Sequence, residues 1–191
     1  MKSSRIAASL FFLALGGGPS VAHACWELAE KQTGVDRYLL KAVVDVESGG
    51  RPQALAVAKR GVWLRKQPDS ISQAISWATW LDQNGYTFAV GTTQINWRAH
   101  GSRLMKQGIS LQRLYCDVCL QLVEGAKILR NGFDSVGVNW EGVGAYYTGG
   151  GKGYLPWERY RYAQKVFSRY QIYKSSPPLL TVPEVNDLAC K

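Results

Sequence analysis

The sequence predicts a mainly α-helical single domain carrying one small β element. Three observations predict it. Apolar residues recur at helical spacing in a succession of segments closed by capping residues or Gly and Pro breaks; β-rich character is confined to Phe88–Asn96; and the length suits one core. A 24-residue leader leaves about 167 of the 191 residues, enough for one domain but not comfortably for two.

The leader, residues 1–24, reads as a secretory signal: Lys2 and Arg5, the apolar run Ile6–Leu15, a Gly-rich break ending at Pro19, and small residues at Ala22 and Ala24. The apolar run has about half the ~20 residues that a membrane span needs. Cleavage after Ala24 makes Cys25 the first mature residue. Val21-Ala22-His23-Ala24 lacks the pattern of a lipid-attachment box, so a lipoprotein is the lesser reading.

Next, Cys25–Gln32 reads as a short amphipathic helix, with Trp26, Leu28 and Ala29 apolar and Gly34 as its stop. Asp36 caps a second helix, Arg37–Glu47, whose Leu39, Leu40, Ala42, Val43, Val44 and Val46 surround most of its circumference, the pattern of a buried helix. Ser48-Gly49-Gly50-Arg51-Pro52 ends it. Lys59–Lys66 is basic, and Ser70 with Gln73 forms a capping box for a third helix carrying Ile71, Ala74, Ile75, Ala78 and Leu81, stopped at Asn84-Gly85. Phe88–Asn96, interrupted by Gly91, reads as a loop or short hairpin. Asp117 caps a helix with Cys119, Leu122, Val123, Ala126 and Leu129 on one apolar face. Trp140–Tyr147 is a short helix ending at Thr148-Gly149-Gly150-Gly151, and Trp157–Tyr173 is the last. Pro177-Pro178 and Pro183 make residues 174–191 an extended tail, held to the 25–173 domain only if Cys190 is bridged.

Formal net charge is +9, and about +7 once Lys2 and Arg5 leave with the signal. A cationic exported protein accumulates on polyanions such as cell wall or membrane surface. Export and the lack of a nucleic-acid-reading motif argue against nucleic acid. Cys25, Cys116, Cys119 and Cys190, an even number in an oxidising compartment, read as two disulfides with three pairings open. A redox or zinc role for Cys116-x-x-Cys119 lacks the strand-helix context or further ligands it needs: the mature chain has one histidine, His100.

Elimination narrows the chemistry. One mature histidine without Gly-x-Ser-x-Gly disfavours a Ser-His-Asp hydrolase, paired cysteines leave no free thiol, His-Glu-x-x-His is absent, and no phosphate-cradling Gly loop appears. Carboxylates remain, and Glu47 is the one whose placement needs explaining. It ends an apolar helix on the face of Leu40, Val43 and Val44, where the negative end of the helix dipole and apolar neighbours both raise its pKa. A carboxylic acid kept protonated near neutrality suits general-acid cleavage of a glycosidic bond. The bland alternative is a solvent-facing Glu at a frayed helix end.

Glu47-Ser48, Gly91-Thr92-Thr93-Gln94-Ile95-Asn96, Ala145-Tyr146-Tyr147-Thr148-Gly149 and Tyr162-Ala163-x-x-Val166 stand in an order that resembles the soluble-lytic-transglycosylase (SLT) domain, a lysozyme-like fold. The arrangement is most similar to the short forms that accompany type IV secretion, conjugation and related envelope-spanning machines. The resemblance covers roughly Cys25–Tyr173. It implies a periplasmic enzyme with Glu47 as catalytic acid and then base, Ser48 orienting its carboxyl, and Gln94, Tyr146 and Tyr162 lining the cleft and holding sugar groups and the carboxyl. The bland readings are that Gln94 satisfies loop backbone and the tyrosines belong to the core. Two departures concern the sugar subsites: the family more often has Leu-Met at Thr92-Thr93 and Asn at Tyr147. The resemblance also favours Cys25–Cys119, which leaves Cys116–Cys190 to fasten the tail; a long loop so closed contributes ~3–4 kcal/mol. Trp63, Trp77 and Trp80, within the extra segment Lys59–Gly85, either stack on sugars or pack a lid helix, and amphipathic spacing favours packing.

As the resemblance implies, Glu47 protonates the oxygen between N-acetylmuramic acid and N-acetylglucosamine. Its carboxylate then takes the proton of the muramyl 6-hydroxyl, which closes a 1,6-anhydro ring. No cofactor or metal is implied, and a monomer acting on peptidoglycan strands, with secretion-system components as partners, is the expectation. A second carboxylate, as a hydrolase would need, has candidates in Asp45, Asp82, Asp117 and Glu141. Asp45 points off the Glu47 face and Asp117 reads as a cap. The rivals are a muramidase on the same fold and a non-catalytic peptidoglycan-binding assembly factor.

Overall fold

The computed structural model describes residues 21–57 and 64–191. Most of the leader, and Trp63 with much of the basic Lys59–Lys66 stretch, lie outside the described residues. In chain order the elements are α1 (Val21–Thr33), α2 (Arg37–Glu47), β1 (Leu55–Val57), α3 (Ile71–Gln83), β2 (Phe88–Val90), β3 (Ile95–Asn96), α4 (Trp97–Lys106), α5 (Leu111–Cys116), α6 (Val118–Val136), α7 (Trp140–Thr148) and α8 (Pro156–Ser175), then a 3-10 turn, Leu188–Cys190.

The caps form where short polar side chains precede apolar runs. Asp36 accepts from the amides of Tyr38 and Leu39, Ser70 from Gln73, and Asp117 from Leu120. The Ser70 box is shifted by one residue, because Gln73 reaches back to the amide of Asp69 rather than of Ser70. Phe88–Asn96 is a hairpin, and β1 adds a third antiparallel strand in the order β1-β2-β3, with Leu55 opposite Val90 and Ala89 opposite Asn96. Neither β1 nor helices α4 and α5 were expected from the pattern. Three-residue β1 is too short to show a period, and α4 carries Gly101 in its interior. That glycine has a packing reason: a Cβ there would lie 2.8 Å from the ring of Trp97, one turn earlier.

Two apolar clusters build the body. One joins α1, α2, α6, α7 and α8 through Trp26, Leu40, Val43, Leu122, Leu129 and Val166. The other joins the sheet to α3, α4 and α5 through Leu55, Phe88, Ile95, Leu104 and Leu114. Helix α6 lies between them: Leu122 and Leu129 belong to the first, while Leu120 and Ile128 pack on the second. The expected single apolar face on α6 is therefore corrected to burial nearly all round, which also takes in the polar Gln121 and Glu124. Burial of Glu124 is offset by ion pairs to Arg103 at 2.8 Å and Lys127 at 2.7 Å.

Helix α1 starts at Val21, four residues before the expected start, and of its apolar residues Leu28 faces solvent at 43% exposure while Trp26 and Ala29 are buried. Trp77 packs against the sheet-side cluster, as expected; Trp80 points outward and stacks on Tyr86. The tail is extended and anchored at several points. Leu180 is buried, Trp26 donates its indole N–H to the Thr181 carbonyl at 3.1 Å, and the Ser72 amide donates to Asp187 at 2.9 Å. The bridges are Cys25–Cys119 and Cys116–Cys190. Among the described residues no helix is long and apolar enough to cross a membrane.

Candidate active site

Helix α2 delivers Glu47 to the junction of the two clusters. Its Leu40, Val43 and Val44 are buried, so the last turn cannot rotate to carry the Glu47 side chain into bulk water without exposing them. The carboxyl accepts a hydrogen bond from the Tyr162 hydroxyl at 2.7 Å. Tyr162 comes from α8 and is itself clamped: the Tyr147 ring stacks on it at 5.2 Å and 11°, and Tyr146 lies 6.3 Å away at 17°.

The floor of the site is the loop between β2 and β3. Tyr146 donates its hydroxyl to the Thr93 carbonyl. Gln121, at 0% exposure on α6, accepts from the Thr92 amide at 2.6 Å through Oε1 and donates to the Leu114 carbonyl at 3.0 Å through Nε2; its own carbonyl accepts from Thr93 Oγ1 at 3.0 Å. The fit leaves no room at two glycines. A Cβ on Gly91 would meet the Gln121 amide, and one on Gly125 would meet the Thr93 side chain, each at 2.5 Å. Nothing in the sequence pattern singles out Gln121, which reads as one polar residue on an apolar helix.

Ser48 is corrected in one respect. Its hydroxyl donates to the Thr92 carbonyl at 2.7 Å and accepts from the Gly50 amide at 3.0 Å, so it ties the end of α2 to the floor loop. The expected bond from Ser48 to the Glu47 carboxyl is made instead by Tyr162. Gln94 combines both of its readings: its amide donates to the Gly91 carbonyl at 2.9 Å, closing a loop in which Gln94 has φ 48°, and its side chain lines the cleft.

Two cavities open on Glu47, with Tyr147 a wall of both. One, of about 230 Å³, runs along the sheet past Ala56, Gln94, Asn96 and His100. The other, of about 240 Å³, lies against α8 and is lined by Glu158, Arg161 and Lys165. His100 and Lys165 are site residues that sequence reasoning missed. The former sits on α4, which carried no signal, and the latter reads as a solvated face of α8. The candidate second carboxylates are occupied elsewhere or far out: Asp45 accepts from Lys41 and Tyr173, Glu141 from Arg159 and Gly153, and Asp117 caps α6, while Asp82 is exposed.

Burial pushes the Glu47 carboxyl from its ordinary 4.5 up to about 7, against the opposing pulls of the Tyr162 hydrogen bond and the Lys165 charge. Burial also raises the hydroxyls of Tyr146 and Tyr162 well above the usual phenol range, so both remain donors. Two outcomes follow from these shifts. The first concerns stability. Below about 4.5 the folded and unfolded chains both hold a neutral acid, so its stability is fully present; as pH rises through about 7 the folded chain must hold an enclosed anion and stability is lost. Glu47→Gln is expected to leave the denaturation midpoint unchanged at pH 4 and to stabilise the fold at pH 8 by about 2 kcal/mol, allowing for solvent access through the cavities. An equal midpoint at pH 8 would show a well-solvated carboxylate.

The second concerns rate. Tyr162→Phe removes a hydrogen bond that favours the ionised form, so the alkaline fall in kcat/KM is expected to move up by about one pH unit. A limb that stays in place while the rate drops would assign Tyr162 to substrate contact alone.

A Transglycosylase SLT domain family model matches residues 24–168. The chain is 31% identical over 150 residues to Invasion protein IagB of Salmonella typhimurium, covering 78% of this chain and 77% of that protein. It is 30% identical over 146 residues to Protein IpgF of Shigella flexneri, covering 76% and 78%. It is also 30% identical over 158 residues to the Type IV secretion system protein virB1 of Brucella abortus, covering 76% of this chain and 62% of that one.

Proposed function

Since the chain belongs to the transglycosylase SLT-domain family, and is thereby a lytic transglycosylase acting on peptidoglycan, we propose that Glu47 is its catalytic acid and base. The observation that carries this is the enclosed Glu47 carboxyl, raised to about 7, facing both cavities and held by Tyr162. A group with that pKa is substantially protonated at neutral pH and still a competent base after giving up its proton.

In the proposed reaction protonated Glu47 donates to the glycosidic oxygen as the muramyl C1–O bond breaks. The muramyl 6-hydroxyl oxygen bonds to C1, and its proton passes to the Glu47 carboxylate. The acid is regenerated, and no water is consumed. Tyr162 orients the carboxyl, Tyr146 and Ser48 hold the loop that carries Gln94, and Tyr147 separates the two arms of the cleft. A single carboxylate suffices for this sequence of steps. Apart from Glu47, the one carboxylate lining either cavity among the described residues is Glu158, exposed on the first turn of α8.

The setting is read from the leader, the charge and the relatives. Residues 1–24 would export the protein to the periplasm, where a formal charge of about +7 favours the anionic wall. Likeness to a protein named for type IV secretion supports a role in making local openings for an envelope-spanning apparatus. Mass spectrometry of soluble products from purified peptidoglycan tests the reaction. Anhydro-muropeptides are expected; reducing muramyl ends would make the protein a hydrolase and turn attention to Glu158, and no product would favour the binding-factor reading.

A further inference from the structure

The cavity on the α8 side of Glu47 carries two positive charges that no ion pair or hydrogen bond takes up among the described residues. Arg161 and Lys165 both line it, both are exposed, and neither takes part in an ion pair or hydrogen bond among the described residues. Their neighbour on the same helix shows what a structural cation looks like here. Arg159, at 1% exposure, donates to Glu141, to the Thr148 hydroxyl and to the carbonyls of Gly149 and Gly150. Like charges four residues apart repel on a helix, so the Arg161/Lys165 pair costs α8 stability rather than adding to it. Glu47 is no partner for them in the acid step, when it is neutral, and Glu158 in the first turn of α8 offsets only one of the two charges.

Within the lytic transglycosylase reading, on which this step rests, we propose that Arg161 and Lys165 form a carboxylate-binding subsite for the peptide stem carried on the lactyl arm at C3 of the muramyl residue. N-acetylglucosamine carries no charge, and the lactyl carboxyl is taken up in the amide bond to the stem, so the carboxylates of the stem are the anionic part of the substrate. Arg169 continues the row at the next four-residue step, exposed and likewise outside the ion pairs. Three cations at four-residue steps span ~12 Å of helix, close to the ~13 Å of about four extended peptide residues. The cavity would thus select peptidoglycan over neutral chitin-type strands, and α8 would steer the stem away from the scissile bond.

Binding to the Glu47→Gln form, which keeps the site neutral and stops turnover, tests this without moving the acid's pKa. The probes are a peptide-bearing tetrasaccharide of alternating N-acetylglucosamine and N-acetylmuramic acid, the same sugar stripped by an amidase to its free lactyl carboxylates, and chitotetraose. Adding Arg161→Ala and Lys165→Ala is expected to weaken the first about tenfold and to leave chitotetraose within about twofold. The stripped sugar is expected to keep its affinity, because its charges sit on lactyl oxygens that an amide bond masks in the peptide-bearing strand; a matching loss there would place the contact on the lactyl arm and overturn the stem assignment. Equal loss on all three ligands, or none on the peptide-bearing one, overturns the proposal. The product analysis of the unaltered protein stands apart: anhydro ends with no ligand discrimination would sink the subsite and leave the reaction in place.

Discussion

Glu47→Gln is expected to cut the release of anhydro-muropeptides by about 10²–10⁴-fold, the usual contribution of a positioned acid and base. Glutamine keeps the volume of the side chain and can still accept from Tyr162, so the three-tyrosine stack and the floor loop have no reason to move. It cannot give a proton to the leaving oxygen, and it cannot take one from the 6-hydroxyl. Both halves of the reaction fail together, so the effect falls on kcat more than on KM. The loss should persist at every pH, whereas the unaltered protein declines as pH rises through about 7, when the acid ionises. Residual activity above about a tenth, with the fold intact, would mean that another group supplies the proton.

Opening the Cys25–Cys119 bridge is expected to cost about 4 kcal/mol, a large share of the ~5–15 kcal/mol that holds a domain together. The bridge closes a separation of 94 residues and fastens α1 to the start of α6, the helix both clusters share. Cys25 lies in the apolar cluster, so the pair Cys25→Ala and Cys119→Ala isolates the cross-link better than serine, which would bury a hydroxyl. The denaturant midpoint reads the loss. Cys116–Cys190, with a separation of 74, behaves differently in kind: removing it frees the tail's last anchor at the 3-10 turn, with early proteolysis there and the Glu47 site undisturbed. An unchanged midpoint after opening the first bridge would show that packing alone fixes α1.

Capping chemistry and periodicity are local, and elements that depend on them were legible in the chain. Helix α2 runs from Arg37, behind its Asp36 cap, to Glu47 as its pattern required, and α3 and α6 start behind Ser70 and Asp117. Helices α4 and α5 and strand β1 are too short, or too interrupted by residues such as Gly101, to state their own conformation; neighbours stabilise them. In the site, Glu47 was visible because an acid at the end of an all-round apolar helix has few places to go. The Tyr162 bond to it spans 115 residues, and Ser48 bonds a carbonyl 44 residues away. Neither pairing has a local signature.

By itself the sequence determined the fold class and the family, and it singled out Glu47 and the residue types around it, since these rest on spacing, burial preference and the order of short motifs. Only the tertiary structure decided which hydroxyl holds the carboxyl, that Gln121 locks the floor loop from α6, and that Arg161 and Lys165 both face the cavity. The physical reason is the same in each case. A hydrogen bond or a field between distant residues depends on where two packed surfaces meet, and periodicity records only which side of an element faces inward.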